Sequence, residues 1–416
     1  MRILTTVIRL FPAVILTILI TQSSGFGQVA GDILPAWQPG YLDIHQISTG
    51  QGDAAFAVLP DGTTLLIDAG TLSGTDPRTT KPRPNNSRRT GEWIARYISR
   101  MMPPNRESAL DYALLTHFHG DHMGNVSDDS PLSSTGAYRL TGITDVGDAV
   151  PIRKMLDRAW PEYDEPFSSS KQIDNYQNFL QWQSKNNGLI GERFQPGRSD
   201  QIILVHNPKQ YPEFEIRNIA ANGVVWTGRG TATRAHIPPF DEIEPQDRSG
   251  ENPYSIAFRM TYGSFDYFNG GDIQGEPQDW EPDWHDMETP VARVVGPVDV
   301  NVLNHHGWID AANAFFLSAL RPRVHISSFW HVSHLGSRVM IRLLSQRPYK
   351  GPRDIFATNM MPEAKYSRKQ LESLASEHGH IVVRVQPGGG SYHVITLDDT
   401  DESNQITGVF GPYEAQ

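Results

Sequence analysis

The densest cluster of metal-binding residue types in the sequence consists of His117, His119, Asp121 and His122. Gly120 lies among them and gives the backbone freedom to turn tightly. Imidazole and carboxylate groups are ligands that suit zinc, manganese or iron. In a tight loop the first two histidines can point to one metal, while Asp121 and His122, just past the turn, can reach a second. The spacing therefore predicts a metal site, and a polar loop with incidental histidines is the less favoured interpretation.

Two later segments carry the same residue types at the ends of predicted strands. Asp272 follows two glycines at the end of a predicted β-hairpin, where glycine lets the backbone approach a site closely. His305 and His306 end an apolar strand predicted over residues 298–303. A carboxylate such as Asp272 can bridge two metals. Because neighbouring residues at a strand end point to opposite sides, we expect only one of the two histidines to bind.

The apolar pattern predicts the elements that must position these loops. Residues 111–116 read as a short buried strand that runs directly into the histidine-rich loop. Two strands around Gly263 form the hairpin that precedes Asp272. Hairpins come first along the chain and strand–helix–strand alternation follows, which predicts a mixed α/β sandwich.

The middle of the chain, residues 127–255, has a weaker pattern and is interpreted as including an irregular insertion. Within it we expect a helix near residues 171–185. Strands are expected near residues 201–206 and 214–219, and residues 237–253 are expected on the surface.

The composition excludes several classes of function. The chain has 416 residues and no Cys, so it has no disulfides, thiolate metal sites, cysteine nucleophiles or cysteine-bound iron–sulfur clusters. Any metal must be held by His, Asp or Glu. A formal net charge of -11 at pH 7 argues against strong nucleic-acid binding, which relies on clustered Lys and Arg.

Residues 1–30 are typical of a secretory signal peptide. Two arginines precede an apolar run over residues 10–20, and small and polar residues follow it. The run is about half as long as a membrane-spanning helix requires. We therefore expect export to the periplasm or the outside, with cleavage within residues 24–31 and no stable membrane span after processing. An uncleaved anchor is the alternative.

The motif His117-x-His119-x-Asp121-His122 resembles the signature of the metallo-β-lactamase fold superfamily. Within that superfamily the chain is similar to the ComEC/Rec2-type metallohydrolases, without their membrane channel. The similarity is carried by five stretches spread over about residues 41–335. They are Thr49-Gly50-Gln51-Gly52-Asp53-Ala54, Leu66-Ile67-Asp68-Ala69-Gly70, the histidine-rich loop with Met123-Gly124-Asn125, Ser255-Ile256-Ala257-Phe258 through Gly271-Asp272, and Leu303-Asn304-His305-His306-Gly307.

The resemblance implies a metallo-β-lactamase-like four-layer αβ/βα sandwich over residues 31–416, with a dinuclear metal site at one edge. The implied ligands are His117 and His119 for the first metal, Asp121, His122 and His306 for the second, and Asp272 as the bridge. His306 is preferred to His305 because related families place the ligand directly before Gly or a bulky residue in this loop. Asp68 resembles a structural aspartate that braces the histidine-rich loop. The implied cofactors are two divalent ions, zinc first, with manganese or iron as alternatives.

One ligand position of the family has no clear counterpart in this sequence. Many relatives have a further histidine between the histidine-rich loop and the bridging aspartate. The candidates here are Asp157, His206 and His236, and Asp157 is the best placed by order along the chain. An aspartate beside an arginine is usually part of a surface ion pair, however. The alternative is an open position on the first metal, as catalytic sites keep.

The implied reaction is hydrolysis. Two metals lower the pKa of a shared water toward neutrality and so supply a hydroxide that attacks phosphorus or a carbonyl carbon. Asp121 can orient the nucleophile as well as bind metal. His334 is the candidate to protonate the leaving group, and His331 is the alternative; a solvent-exposed histidine without a catalytic role is the competing interpretation.

The ComEC/Rec2 resemblance favours phosphodiesters as substrates, including nucleic acid strands or small choline-phosphate esters. One alternative is hydrolysis of β-lactams or lactones at the same site. Another is a non-catalytic metal-binding protein of the same fold. The sequence does not indicate an oligomeric state.

Overall fold

The computed structural model describes residues 27–72, 76–163 and 170–416. The apolar run of the predicted signal peptide lies outside these ranges. Within them, no helix combines the length and the apolar character that crossing a membrane requires.

The strands are described first, because they carry the loops of interest. They are Leu42–Gln46 (β1), Ala55–Val58 (β2), Thr64–Ile67 (β3), Leu110–Leu114 (β4), Ile152–Asp157 (β5), Ile190–Arg193 (β6), Phe214–Ala221 (β7), Val224–Trp226 (β8), Thr233–Ala235 (β9), Ala257–Tyr262 (β10), Phe265–Asn269 (β11), Val300–Val302 (β12), Val324–Ser327 (β13), Asp354–Ala357 (β14), His380–Val385 (β15), Ser391–Leu397 (β16) and Ile406–Glu414 (β17).

The helices lie between these strands. They are Thr90–Met101 (α1), Gly120–Met123 (α2), Ile143–Ala149 (α3), Lys171–Asn187 (α4), Glu288–Val295 (α5), Ala314–Leu320 (α6), Ser337–Leu344 (α7) and Ala364–Ser367 (α8). Short 3₁₀ turns occur at Pro208–Gln210, Phe240–Glu242, Pro245–Asp247, Asn252–Tyr254, Asp283–His285, Asn304–Gly307 and Lys369–Ser373.

Two mixed sheets form the centre of the fold. The larger sheet has the strand order β17-β16-β15-β1-β2-β3-β4-β5-β6, and the smaller has the order β14-β13-β12-β11-β10-β7-β8-β9. In the larger sheet the ladder is antiparallel from β17 to β3 and parallel from β3 to β6. In the smaller sheet β11, β12, β13 and β14 are parallel neighbours. Parallel strands direct their carboxyl ends to one edge, and the candidate ligands follow such ends.

Apolar side chains fill three layers between and outside these sheets. The inner faces of both sheets pack together, with Leu65, Phe258 and Val383 among the fully buried contacts. Helices α1, α3 and α4 cover the outer face of the larger sheet. Helices α5, α6 and α7 cover the smaller sheet. This arrangement is a four-layer αβ/βα sandwich, so the predicted metallo-β-lactamase-like fold class is confirmed.

The helices follow local signals in the sequence. Helix α1 buries Ile94, Tyr97 and Ile98, which share one helical face. It ends just before Pro103, which cannot continue a helix. Helix α4 begins after Ser170, whose side chain accepts the N–H of Ile173, and ends at Gly188 in the left-handed conformation.

The middle of the chain contributes to both sheets. Strands β5 and β6 extend the larger sheet, and β7 to β9 complete the smaller one. The predicted helix near 171–185 and the predicted strand near 214–219 are confirmed as α4 and β7.

The strand predicted near residues 201–206 is wrong. Buried and exposed side chains do alternate here, since Ile202 and Leu204 are buried while Val205 is exposed. The backbone N–H of Val205, however, donates to the side chain of Thr63 and not to a neighbouring strand. Side-chain acceptors thus replace the ladder hydrogen bonds that would define a strand.

Candidate metal centre

The histidine-rich loop follows β4 and is held closely by two other loops. The backbone N–H of Asp53 donates to the carbonyl oxygen of Asp121 at 2.6 Å. A Cβ atom at Gly70 would lie 1.6 Å from that same oxygen, so only glycine fits at this position. The Gly-Gln-Gly-Asp and Asp-Ala-Gly stretches of the sequence therefore pack directly against the loop.

The first group of ligand atoms comes from His117, His119 and Asp272. His117 Nε2 lies 3.2 Å from His119 Nδ1 and 3.7 Å from Asp272 Oδ2. His117 is fully buried, and burial lowers its pKa well below the usual value. A neutral imidazole offers its lone pair to a cation, so this group fits a divalent metal.

The second group comes from Asp121, His122, His306 and the same Asp272. His306 Nε2 lies 3.1 Å from Asp121 Oδ2 and 3.5 Å from Asp272 Oδ2. His122 Nε2 lies 3.2 Å from Asp272 Oδ1 and 3.3 Å from His306 Nε2. The ligand atoms of each group lie within 4.8 Å of one another.

Asp272 belongs to both groups, so its two oxygens can serve both sites. Its pKa is held well below the usual value, because the charges of His122 and His306 outweigh the opposing effect of burial. Nitrogen and carboxylate oxygen atoms concentrated in a buried site are the donor set that zinc, manganese and iron prefer. The described residues therefore fit two divalent ions with a shared carboxylate.

Asp68 braces the second group from behind. Its Oδ2 lies 2.8 Å from His122 Nδ1 and accepts the hydroxyl of Thr116 at 2.7 Å, while its Oδ1 accepts the Thr116 N–H at 2.7 Å. A carboxylate on Nδ1 keeps the proton of His122 there, which leaves Nε2 free for a metal.

The turn after β12 brings His306, and not His305, into the second group. Both residues have a left-handed backbone, with φ of 47° and 54° respectively. His305 turns away: its Nε2 is 3.1 Å from Asn252 Nδ2 and its Nδ1 is 2.8 Å from Asp310 Oδ1. Backbone strain of this kind persists only where surrounding contacts impose it, and it is common at functional sites.

A buried carboxylate that the sequence did not reveal holds this turn. Glu288, at the start of α5, accepts hydrogen bonds at 2.7 Å from the side-chain amide of Asn304 and from the N–H groups of Ala312 and Asn313. Its side chain is fully buried. These bonds fix the segment that carries His306 against α5.

A second unpredicted carboxylate supports the histidine-rich loop. Glu251 accepts the N–H of Phe118 at 3.1 Å and pairs with Arg158 through two hydrogen bonds of 2.6 and 2.7 Å. Its neighbour Asn252 contacts His305. The segment before β10 thus touches two of the three loops that form the centre.

Asp157 is not brought into either group. Its Oδ1 accepts the N–H groups of Ala159 and Trp160, both at 2.7 Å. Its Oδ2 accepts the hydroxyls of Tyr163 and Tyr176 at 2.6 and 3.0 Å. These bonds hold the turn after β5 and connect it to α4, and no ion pair joins this buried carboxylate to an arginine among the described residues.

The other candidates for the missing position also lie apart from the centre. His206 Nε2 contacts Asp111 at 3.1 Å, and neither His206 nor His236 belongs to the two groups. Among the described residues, the first group has three protein ligands.

His334 lies directly beside the second group. Its ring stacks on that of His306 with centroids 4.8 Å apart and an interplanar angle of 13°. Its Nδ1 accepts the backbone N–H of Trp330 at 3.3 Å, which leaves the proton of the neutral ring on Nε2. His331 lies further out, where its Nδ1 is paired with the hydroxyl of Ser333.

Comparisons with known proteins give only distant structural similarity. No protein-family model matches the chain, and no curated protein matches its sequence. A mutant of the CmlA β-hydroxylase shows 12% identity and a TM-score of 0.39 over 84% of this chain and 54% of its own, so this chain spans about half of that protein. Zn²⁺-bound PqqB from Methylobacterium extorquens shows 9% identity and a TM-score of 0.40, covering 82% of this chain and 99% of its own.

Unliganded yeast PDE1 is a further similar structure. It shows 8% identity and a TM-score of 0.35, covering 82% of this chain and 98% of its own. Identities and TM-scores this low do not identify the class of fold. We therefore assign the fold class from the sheets and loops of the protein itself. It is a metallo-β-lactamase-like αβ/βα sandwich with a candidate two-metal centre at one edge.

Proposed function

We propose that this protein is a dinuclear metal-dependent hydrolase of the metallo-β-lactamase superfamily that cleaves phosphodiester-type substrates. The observation that carries the proposal is the convergence of ligand atoms from three distant loops into two groups that share Asp272. A non-catalytic metal-binding protein would not need a buried bridging carboxylate together with a histidine stacked beside it.

The residues of the centre have distinct roles in this reaction. When bound, two divalent ions lower the pKa of water and neutralise negative charge that develops on the phosphoryl oxygens. Asp121 holds its Oδ2 3.1 Å from His306 and can orient the attacking water by accepting a hydrogen bond. His334, with its proton on Nε2, donates a hydrogen bond toward the leaving group.

The choice of phosphodiesters and of the ComEC/Rec2-type subgroup depends on the sequence resemblance. The packing of the Gly-Gln-Gly-Asp stretch against Asp121 supports it, because this stretch then has a structural reason to accompany the histidine-rich loop. Strong binding of nucleic-acid strands is not part of the proposal, given the net charge of -11.

The experiment uses the chain without residues 1–30, loaded with zinc or manganese, with metal content measured by mass spectrometry. Its substrates are bis-p-nitrophenyl phosphate, p-nitrophenyl phosphorylcholine and the β-lactam nitrocefin. We expect turnover of a phosphodiester by protein that holds two metals per chain. Turnover of nitrocefin alone would favour the β-lactamase alternative, and a folded, metal-loaded protein that cleaves none of them would contradict the proposal.

Export and the identity of the metals are further parts of the proposal. The charged start, short apolar run and small residues of the first 30 residues support export. Expression of the full chain in a bacterial host, followed by mass measurement of the secreted or periplasmic product, tests it. We expect an N-terminus within residues 24–31, with zinc the preferred ion. An intact N-terminus in the membrane fraction would indicate an anchor.

A further inference from the structure

A row of ring contacts runs outward from the candidate ligand His306. The ring of His334 stacks on that of His306 with centroids 4.8 Å apart. The ring of Trp308 meets His334 edge to face, at a centroid distance of 6.0 Å and an interplanar angle of 80°. The ring of His331 lies 5.7 Å from that of Trp308. Rings at such distances are in contact, and we call the outer two, Trp308 and His331, the aromatic wall.

The aromatic wall is open to solvent, whereas the ring behind it is not. Trp308 and His331 are half-buried, while His334 is 2% exposed. The indole N–H of Trp308 has no acceptor among the described residues, and it is not one of the groups that burial seals from solvent. Nε1 of Trp330, by contrast, is both sealed and unpaired. A ligand can therefore reach the aromatic wall from outside.

Contacts with a neighbouring loop hold the wall in place. Thr79 and His331 form an antiparallel bridge, and the N–H of Val332 donates to the carbonyl oxygen of Arg78 at 2.7 Å. The hydroxyl of Ser333 lies 2.5 Å from Nδ1 of His331 and fixes the orientation of the ring. A surface that is already ordered loses little conformational entropy when a ligand binds, so stacking on it is favourable.

The aromatic wall lies on the leaving-group side of the proposed reaction. His334 is the residue assigned to donate a hydrogen bond to the leaving group, and its ring contacts both Trp308 and His331. Trp308 is two positions after His306, so their Cα atoms are at most about 7 Å apart. A leaving group whose oxygen faces His334 therefore meets the wall next.

The charges around the wall favour an uncharged ligand group. Asp310 is already paired with His305 at 2.8 Å, and Asp76 with Arg78 at 2.7 Å. Burial and the nearby Arg78 lower the pKa of His331, so its ring is neutral at pH 7. A cationic group would find no unpaired carboxylate in these two pairs, and divalent ions at the centre would repel it. A planar aromatic ring needs no counter-charge and stacks on other rings.

We propose that the aromatic wall binds a planar, uncharged aromatic group carried by the leaving group of the phosphodiester. The substrate class is thus a phosphodiester with an aromatic leaving group, and Trp308 determines this specificity. Stacking on the wall would place the leaving oxygen beside His334. This inference rests on the proposed function.

The test compares three methyl phosphodiesters whose leaving groups are phenol, hexafluoroisopropanol and choline. The first two alcohols have similar acidity but only phenol is aromatic, and choline carries a positive charge. Trp308→Leu removes the ring, and Trp308→Phe keeps an aromatic side chain. Trp280→Leu is the matched control, because Trp280 is 77% exposed. The measured quantity is the ratio of kcat/KM for the phenyl ester to kcat/KM for the fluoroalkyl ester, with methyl phosphate quantified by phosphorus NMR.

We expect this ratio to fall roughly tenfold in Trp308→Leu, because one stacked aromatic contact is lost, and to change less than about threefold in Trp308→Phe. It should not change in Trp280→Leu. An unchanged ratio in Trp308→Leu would overturn the inference while leaving the proposed function intact. An equal fall in Trp308→Phe would also overturn it, because the aromatic ring would then not be the cause. A loss confined to the choline ester would overturn it by making the wall a cation site.

If the metal-loaded protein cleaves none of the three esters, the proposed function fails and the wall is tested by binding. Calorimetric titration of the zinc-loaded protein with phenylphosphonate and with methylphosphonate then replaces turnover. A preference for phenylphosphonate that falls roughly tenfold in Trp308→Leu would support the wall. The same preference in Trp308→Leu and the native chain, or no binding of either phosphonate, would overturn it.

Discussion

The substitution Asp68→Asn tests how the second metal site is oriented. Asp68 accepts from three donors: the N–H and the hydroxyl of Thr116, and Nδ1 of His122. An asparagine has the same shape but only one oxygen. If that oxygen stays on the Thr116 N–H, the new NH₂ group faces His122 Nδ1 and favours the tautomer with its proton on Nε2. That tautomer cannot bind a metal through Nε2.

The expected loss of metal affinity follows from the hydrogen bonds that the substitution removes. In the other amide orientation the new NH₂ group would face the N–H of Thr116, and both groups are donors. Either orientation therefore loses one hydrogen bond to a charged acceptor. Such a bond is worth about 1.5–3 kcal/mol. We therefore expect affinity for the second metal to fall roughly 10- to 100-fold, which is the usual effect of removing an outer partner of a metal ligand.

The assay is competition for zinc between the protein and a chromophoric chelator, which resolves two sites per chain. Asp43→Asn is the matched control, because Asp43 is equally buried but pairs with Arg384 away from the centre. We expect Asp68→Asn to weaken one site and the control to weaken neither. Wild-type affinity at both sites in Asp68→Asn would refute the role assigned to this carboxylate.

Three further predictions concern the centre and its supports. His119→Ala should abolish turnover of bis-p-nitrophenyl phosphate and lower the metal content. His45→Ala should leave both the turnover and the metal content of the folded protein unchanged, because His45 contacts Tyr97 and no candidate ligand. Normal turnover in His119→Ala would exclude the site. Glu288→Ala should leave three buried donors unpaired, at about 1–3 kcal/mol each, and a thermal scan should show a clearly lower Tm; an unchanged Tm would contradict this. Without metal, stability should fall above pH 6.5. Burial lowers the pKa of His306, but the nearby carboxylates outweigh this effect and raise the pKa to about 10. The contribution of protonated His306 to the free energy of unfolding is therefore complete below pH 6.5 and is lost as the pH rises through 10. Denaturant unfolding of the metal-free protein across this range measures the effect, and rising stability would contradict the assigned charges.

Much of the fold and the candidate ligand set could be predicted because both depend on local patterns. The apolar strand β4 and the His-x-His-x-Asp-His spacing are contiguous in the sequence, so they identify the loop without knowledge of its partners. Asp272 and His306 each follow a strand, and strand ends at one edge of a sheet converge.

The supporting carboxylates could not be predicted, because their partners are remote in the sequence. Glu251 is 133 positions from Phe118, whose N–H it accepts. Glu288 lies in an ordinary helix-starting segment, where an acidic residue is common for reasons of the helix dipole alone. Only the tertiary structure shows that both are buried and that both hold loops carrying candidate metal ligands.

For Asp157, the sequence suggested two roles and the structure shows neither. Its order along the chain suggested a ligand, and its arginine neighbour suggested a surface pair. In the structure it is buried, and its oxygens accept hydrogen bonds from three donors of the segment that follows β5 and from Tyr176 of α4. Two of these donors are tyrosine hydroxyls, which sequence spacing does not associate with an aspartate.

The most direct test of the central claim is a crystal structure of the zinc-loaded protein with anomalous diffraction recorded at the zinc edge. Two anomalous peaks are expected about 3.5–4 Å apart. One peak should lie about 2.0–2.2 Å from ligand atoms of His117 and His119, and the other at that distance from His122 and His306, with Asp272 between them. A single peak elsewhere, or a zinc-saturated protein with no peak at these residues, would contradict the account.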